Sequence, residues 1–198
     1  FFQDASAEKV GRLLGTWPKE VVQEFIKENI EIFTARIKDE KILQLTYSKA
    51  LEQSRIQVIK QVISELGAGC VGFIREVKGD LPNRPEVINL LFEKGSSIPF
   101  GEAVLIYHEL IPELVNKNSP AEVKTLISEK AAIFLKSDTP ADQDVGKKFL
   151  EIELLSKEAK REVIKELLVW LRAPSKVVTH VHAIALGLIA SLFEVLQV

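Results

Sequence analysis

Apolar residues recur at intervals of three and four along almost the whole chain, and this spacing limits the fold more than any other feature. In PKEVVQEFIKENIEIFTARI, residues 18–37, one helical stripe contains Val21, Val22, Phe25, Ile26, Ile30, Phe33 and Ile37. A strand would instead need strict alternation of apolar and polar side chains, and no segment alternates in this way. The sequence therefore predicts half-buried helices without a sheet.

A second stripe and several helix starts support the same interpretation. The stripe lies in residues 48–66 and contains Leu51, Ile56, Ile59, Val62, Ile63 and Leu66. A capping residue followed by proline and then an acidic residue predicts a helix N-terminus. This pattern occurs at Ser119, Pro120 and Glu122, and again at Thr139, Pro140 and Asp142. Pro18 suits a first helical turn, and Ser156 is a further N-cap before the face formed by Val163, Leu167, Trp170 and Leu171.

These elements predict an all-α protein, an irregular multi-helix bundle of about eight to ten helices. With 198 residues, the chain is expected to form a single all-helical domain, 1–198, with the best site for a subdomain break near residues 79–85, where Gly and Pro cluster. A helical-repeat array is the alternative, because the starts at Pro18 and Pro120 share a Pro-x-Glu-Val opening. The lack of methionine predicts a fragment or a processed form.

The C-terminal helix is the most apolar element, because residues 177–198 carry a single full charge, at Glu194. Small residues recur there at a spacing of four, which favours close helix contacts. We expect this helix to lie in the core of the bundle. A membrane span is one alternative, since about 20 apolar residues suffice. The other is a pocket for a lipid, pigment or acyl chain, lined by Ile184, Gly187, Leu188 and Phe193.

Gly67, Gly69 and Gly72 match the G-x-G-x-x-G spacing of dinucleotide-binding proteins. Such a site needs its glycines between a buried strand and a long helix. Here the preceding residues 54–66 have a helical period, and the following residues 73–82 contain a glycine and end in a proline. We therefore interpret the glycines as a junction between two helices.

In this interpretation Gly67 ends one helix, and Gly69, Cys70 and Gly72 give the next helix a small-residue face for close packing. Cys70 has apolar neighbours, so we expect a buried structural thiol rather than a reactive one. A single cysteine excludes an internal disulfide and favours a reducing, intracellular and cytoplasmic location. The net charge of −2 and the lack of a basic stripe argue against nucleic acid as a partner.

The three histidines do not form a recognisable catalytic or metal-binding motif. His180 and His182 are two residues apart and would point away from each other on a helix, so we expect no metal site. A triad motif is missing as well. The best anchor for an enzyme would be His108 or Glu109 as acid or base, next to Tyr107.

The leading functional hypothesis is a non-enzymatic protein-interaction or scaffold module without a cofactor. It would bind a helix of another protein in a groove between its own helices. The alternative is a carrier of an apolar small molecule in the C-terminal pocket, and an enzyme is the third hypothesis.

Overall fold

A computed structural model describes residues 2–116, 118–137, 139–151, 157–172, 187 and 190. It divides the chain into two compact units, Phe1–Ile106 and Tyr107–Val198. The described residues form helices and turns and contain no strand, so the predicted all-α class is confirmed.

The first unit contains eight α-helices, two 3₁₀ turns and the start of a π-helix. The α-helices are α1 (Ala7–Thr16), α2 (Lys19–Glu28), α3 (Ile30–Thr34), α4 (Glu40–Lys49), α5 (Glu52–Leu66), α6 (Cys70–Val77), α7 (Arg84–Ser97) and α8 (Phe100–Val104). The 3₁₀ turns, Gly67–Gly69 and Lys78–Asp80, lie before and after α6.

The π-helix, Leu105–Leu110, contains the division between the units. The described α-helices after it are α9 (Ile111–Leu114), α10 (Ala121–Leu135), α11 (Pro140–Glu151) and α12 (Lys157–Leu171). The segments α8, the π-helix and α9 follow one another without a break, and we count them as one helix. Without the short α3, the described residues then contain ten helices. The predicted number of about eight to ten is thus confirmed.

The core of the first unit is built from the predicted stripes. One cluster unites α1, α2, α3 and α4 through Val10, Leu14, Val22, Ile26, Phe33 and Ile42, all at most 4% exposed. Phe2, Trp17 and Phe25 pack against this cluster, and their rings and that of Phe33 form contacts with centroids 5.0 to 6.1 Å apart. Helix α5 packs against α7 and buries Ile59 and Ile63, so burial of apolar surface joins distant parts of the sequence.

The second unit, described by itself, has its closest packing between α10 and α11. Tyr107, Phe134 and Phe149 form an edge-on aromatic cluster with centroid distances of 5.0 to 6.4 Å. Helix α12 packs on α10, and of its predicted face Val163 and Leu167 are buried and Trp170 is half-buried.

Three of the predicted helix starts can be compared with the structure. Pro18 is the N-cap residue before α2, which begins at Lys19, and so it does not lie in the first helical turn as predicted. Thr139 caps α11 as predicted, because its Oγ1 accepts a hydrogen bond from the Asp142 amide at 3.4 Å. Ser119 is not an N-cap, since its hydroxyl accepts from the Asn116 amide within a turn and α10 begins at Ala121. The turn before the helix therefore competes for the serine side chain, a known property of serine. Ser156 lies outside the described residues.

The stretch 18–37 is two helices rather than one. α2 ends at Glu28 and α3 begins at Ile30, with Asn29 between them. The Asn29 side chain and the Asn29 backbone amide both donate to the Phe25 carbonyl, at 2.8 and 3.1 Å, and close the end of α2. Val21 is 51% exposed and so lies outside the predicted stripe, at its edge.

The segment 79–85 lies inside the first unit, where Pro85 falls in the first turn of α7. No helix among the described residues is long and apolar enough to cross a membrane. Residues 177–198, with the exception of 187 and 190, lie outside the described part of the chain. The predicted place of the C-terminal helix therefore stays a prediction.

Candidate functional site

The glycine-rich junction is a helix-to-helix connection, as interpreted from the sequence. Gly67 ends α5 with φ of 53° and ψ of −126°, a backbone conformation that glycine tolerates better than other residues. A 3₁₀ turn and then α6 follow directly. A dinucleotide site would need a strand before the glycines, and the described residues contain none.

Cys70 and the glycines beside it point in different directions, which corrects one sequence prediction. The Cys70 side chain is fully buried, whereas Gly69 and Gly72 are exposed. The predicted small-residue face therefore consists of the two glycines alone. Within the described part of the chain, no atom lies within 4 Å of a Cβ added at Gly72, so no helix of that part packs closely there.

The two exposed glycines line a surface groove of about 340 Å³ in the first unit. We name it the glycine groove and define it by its lining residues, which are Ile37, Lys38, Glu40, Leu43, Leu66, Gly69, Gly72, Phe73 and Glu76. The apolar members lie low in the groove, since Ile37, Leu43 and Phe73 are 4, 5 and 8% exposed. The charged members Lys38, Glu40 and Glu76 are exposed and form the rim.

A hydrogen bond joins the two helices beside the groove. The Gln44 side chain on α4 donates to the Glu76 carboxylate on α6 at 2.9 Å. The aromatic rings of Tyr47 and Phe73 make an edge-on contact at 5.4 Å between the same two helices. The helices α4 and α6 are thus joined by a polar contact at the surface and by an aromatic contact between a buried tyrosine and a buried phenylalanine.

Cys70, the first residue of α6, is fully buried and unreactive near neutral pH. Burial raises the pKa of its thiol to about 12, and its backbone hydrogen bond and the charge of Lys94 lower that pKa by less. The thiol therefore stays protonated near neutral pH and is a poor nucleophile. The prediction of a buried structural thiol agrees with its burial.

The residues that would anchor an enzyme are only partly brought together. Tyr107 is buried in the aromatic cluster, and Glu109 is exposed on the π-helix. The His108 Nε2 atom lies 3.9 Å from the Asp144 carboxylate, too far for a hydrogen bond. No three His, Cys, Asp or Glu residues in the described part of the chain could together hold a metal ion. His180 and His182 lie outside it.

The predicted C-terminal pocket has one member that the structure describes. Gly187 is helical and exposed, and no described atom lies within 4 Å of a Cβ added to it. Ile184, Leu188 and Phe193 lie outside the described residues. The pocket for an apolar ligand thus stays a prediction.

Sequence reasoning identified the glycines but missed the walls of the groove. Ile37 and Leu43 are separated from Gly69 by about thirty residues; the spacing predicted only that Ile37 faces a core, and Leu43 lies outside both predicted stripes. A local pattern carries no signal for such a distant pairing. Comparisons with family models, curated proteins and solved structures find no match for this chain.

Proposed function

We propose that this chain is a non-enzymatic protein-interaction module that binds a helix of another protein in the glycine groove. The observation that carries the proposal is the exposed pair Gly69 and Gly72 beside an apolar floor, with open space above Gly72. A residue without a Cβ lets a foreign helix approach the backbone of α6 closely. Such an approach brings the apolar face of the partner onto Ile37, Leu43 and Phe73.

The rim of the groove supports a partner of defined orientation. Lys38 lies near one end of α4, and Glu76 belongs to the last turn of α6, so both signs of charge surround the apolar floor. Charges of opposite sign on the partner helix would fix the orientation in which it binds. Such rim contacts contribute more to specificity than to affinity. An amphipathic helix with small residues on its contact face and mixed charges beside them fits this surface.

The test is a selection of amphipathic helical peptides on the intact protein, followed by affinity measurements on two variants. Gly72→Leu fills the groove, and its Cβ meets no described atom within 4 Å. We expect this variant to lower the affinity of the selected peptides by about tenfold or more. Gly101→Leu is the matched control, because Gly101 is also exposed, helical and open in the first unit. Peptides that bind Gly72→Leu as tightly as the original protein would refute the proposal.

A native mass measurement separates this function from the carrier alternative. The interaction module predicts a bare chain or a clean oligomer, whereas a carrier would show an adduct that is lost on denaturation. An adduct with the mass of a lipid, pigment or acyl chain, retained in Gly72→Leu, would support the carrier and argue against our proposal.

A further inference from the structure

We propose that the first unit has a second site, independent of the glycine groove, that binds a small organic anion. The site is a cavity of about 390 Å³ where the end of α1, the start of α2, the end of α4 and the start of α5 meet. We name it the cationic cavity and define it by Trp17, Lys19, Gln23, Lys49 and Arg55, with Leu14 and Val22 as its apolar wall.

The charges of this cavity are all of one sign. The described residues that line it include three cations and no carboxylate, although the whole chain has a net charge of −2. Neither the Lys19 nor the Lys49 ammonium group forms an ion pair with any described residue. Lys27, on the outer face of the same helix α2, pairs with Glu24 at 2.8 Å. The two lysines at the cavity are thus available to a ligand of opposite charge.

Arg55 is the fixed member of the set. Its Nε donates to the Tyr47 carbonyl at 2.9 Å and its Nη2 donates to the Ser48 carbonyl at 3.2 Å, while Asp80 accepts from its Nη1. The Asp80 carboxylate offsets part of the guanidinium charge, so the two lysines supply most of the attraction. The role of Arg55 is to hold the ends of α4 and α5 in place.

The start of α2 adds to the positive potential. Pro18 precedes the helix and has no side chain that caps it, so the first amides of α2 lack a capping partner. Lys19, Val22 and Gln23 come from the first turns of this helix and line the cavity. The helix dipole therefore favours an anion here, in the same direction as the lysines.

The remaining lining residues define the rest of the ligand. The Trp17 indole packs edge-on against Phe25 at 5.2 Å, and Leu14 and Val22 are 1 and 3% exposed. A ligand with an apolar or aromatic body could cover this wall while its carboxylate or phosphate lies between the lysines. The volume suits a small molecule and not a folded partner.

The experiment titrates the intact ¹⁵N-labelled protein with 1-naphthylacetate, 1-naphthyl phosphate and neutral 1-naphthylmethanol. We expect at least one of the two anions to shift the Trp17 indole signal, and the alcohol to bind about tenfold more weakly or not at all. The affinity of the anion should fall with added salt, because the lysines are near solvent.

Two double variants with equal charge change locate the site. The double variant Lys19→Ala with Lys49→Ala should bind the anion with an affinity lower by about tenfold or more. The control double variant, Lys27→Ala with Lys41→Ala, also removes one lysine from α2 and one from α4. Neither of these two lysines lines the cavity, so anion binding should be unchanged. Equal binding by both double variants, equal binding of the alcohol, or no binding of either anion at about 5 mM would overturn the proposal.

Discussion

At the scale of single residues, Cys70 links burial to reactivity and to pH. Its side chain is fully buried, and burial raises the pKa of the thiol to about 12. We expect the native protein at about pH 8 to react with a disulfide reagent only as fast as it opens, and the urea-unfolded chain to react at once. Rapid reaction of one thiol per native chain would contradict this.

The same pKa predicts a loss of stability in alkali. Below the ordinary thiol pKa of 9.0 both states keep the proton, so Cys70 gives no pH dependence. Between that pH and about 12 the unfolded chain loses the proton first, and the free energy of unfolding falls by up to about 1.4 kcal/mol per pH unit. Burial also raises the pKa of Tyr47 to about 12, which adds a loss of the same sign from pH 10.0 upward.

A Cys70→Ala variant isolates the thiol from the tyrosine, which both proteins retain. The variant should be less stable at neutral pH, because it leaves a small cavity. The difference in free energy of unfolding between the two proteins, measured with urea, should shrink as the pH rises from 9 to 11, because the variant has no thiol to ionise. A constant difference between the two proteins over that range would show that the thiol does not couple to folding.

At the scale of helices, Gly146 allows the close approach of α11 to α10. A Cβ added there would lie 2.7 Å from the Leu135 Cγ and 3.0 Å from the Leu135 backbone nitrogen. Such distances force the helices apart, so we expect Gly146→Ala to lower the free energy of unfolding by about 1–3 kcal/mol. Gly11→Ala is the control, since its Cβ would lie 3.9 Å from Leu45, and it should be neutral or stabilising by up to about 1 kcal/mol.

The helices show what a sequence pattern can and cannot predict. Periodicity identified the buried face of α5, because Ile59, Val62 and Ile63 follow from local spacing alone. The end of α5 at Gly67 followed from the conformational freedom of glycine. The predicted cap at Ser119 was wrong because its hydroxyl accepts from the Asn116 amide in the preceding turn, which competes with the first amides of α10. Contacts between separate helices, such as the close approach of Gly146 to Leu135, have no local signal in the sequence.

The candidate sites were less predictable than the helices for the same reason. The sequence placed Gly69 and Gly72 together on one short segment, so a local pattern could identify them. The cationic cavity instead combines Lys19 and Lys49 from different helices. Each lysine by itself resembles any solvated lysine at a helix end. The cavity exists because the tertiary fold brings the ends of four helices to one place, and no local sequence pattern encodes that arrangement.

At the scale of the whole molecule, the structure places its division between Ile106 and Tyr107, while the sequence predicted a single domain and marked residues 79–85 as the best site for a subdomain break. Helix α7 distinguishes the two positions, since Val87, Ile88 and Leu91 are fully buried and α7 packs on α5. A chain cut near residue 80 would lose α7 and expose the apolar face of α5. A chain cut at 106 would keep both helices and the contact between them.

We therefore expect a fragment of residues 1–106 to unfold cooperatively on heating and a fragment of residues 1–80 to show no cooperative transition. Circular dichroism at 222 nm against temperature would report both. The physical reason is the area of apolar surface, because loss of α7 uncovers side chains whose burial contributes roughly 1.5–3 kcal/mol each. If the shorter fragment unfolds as cooperatively as the longer one, the break lies near 79–85, and α7 belongs to a separate folding unit.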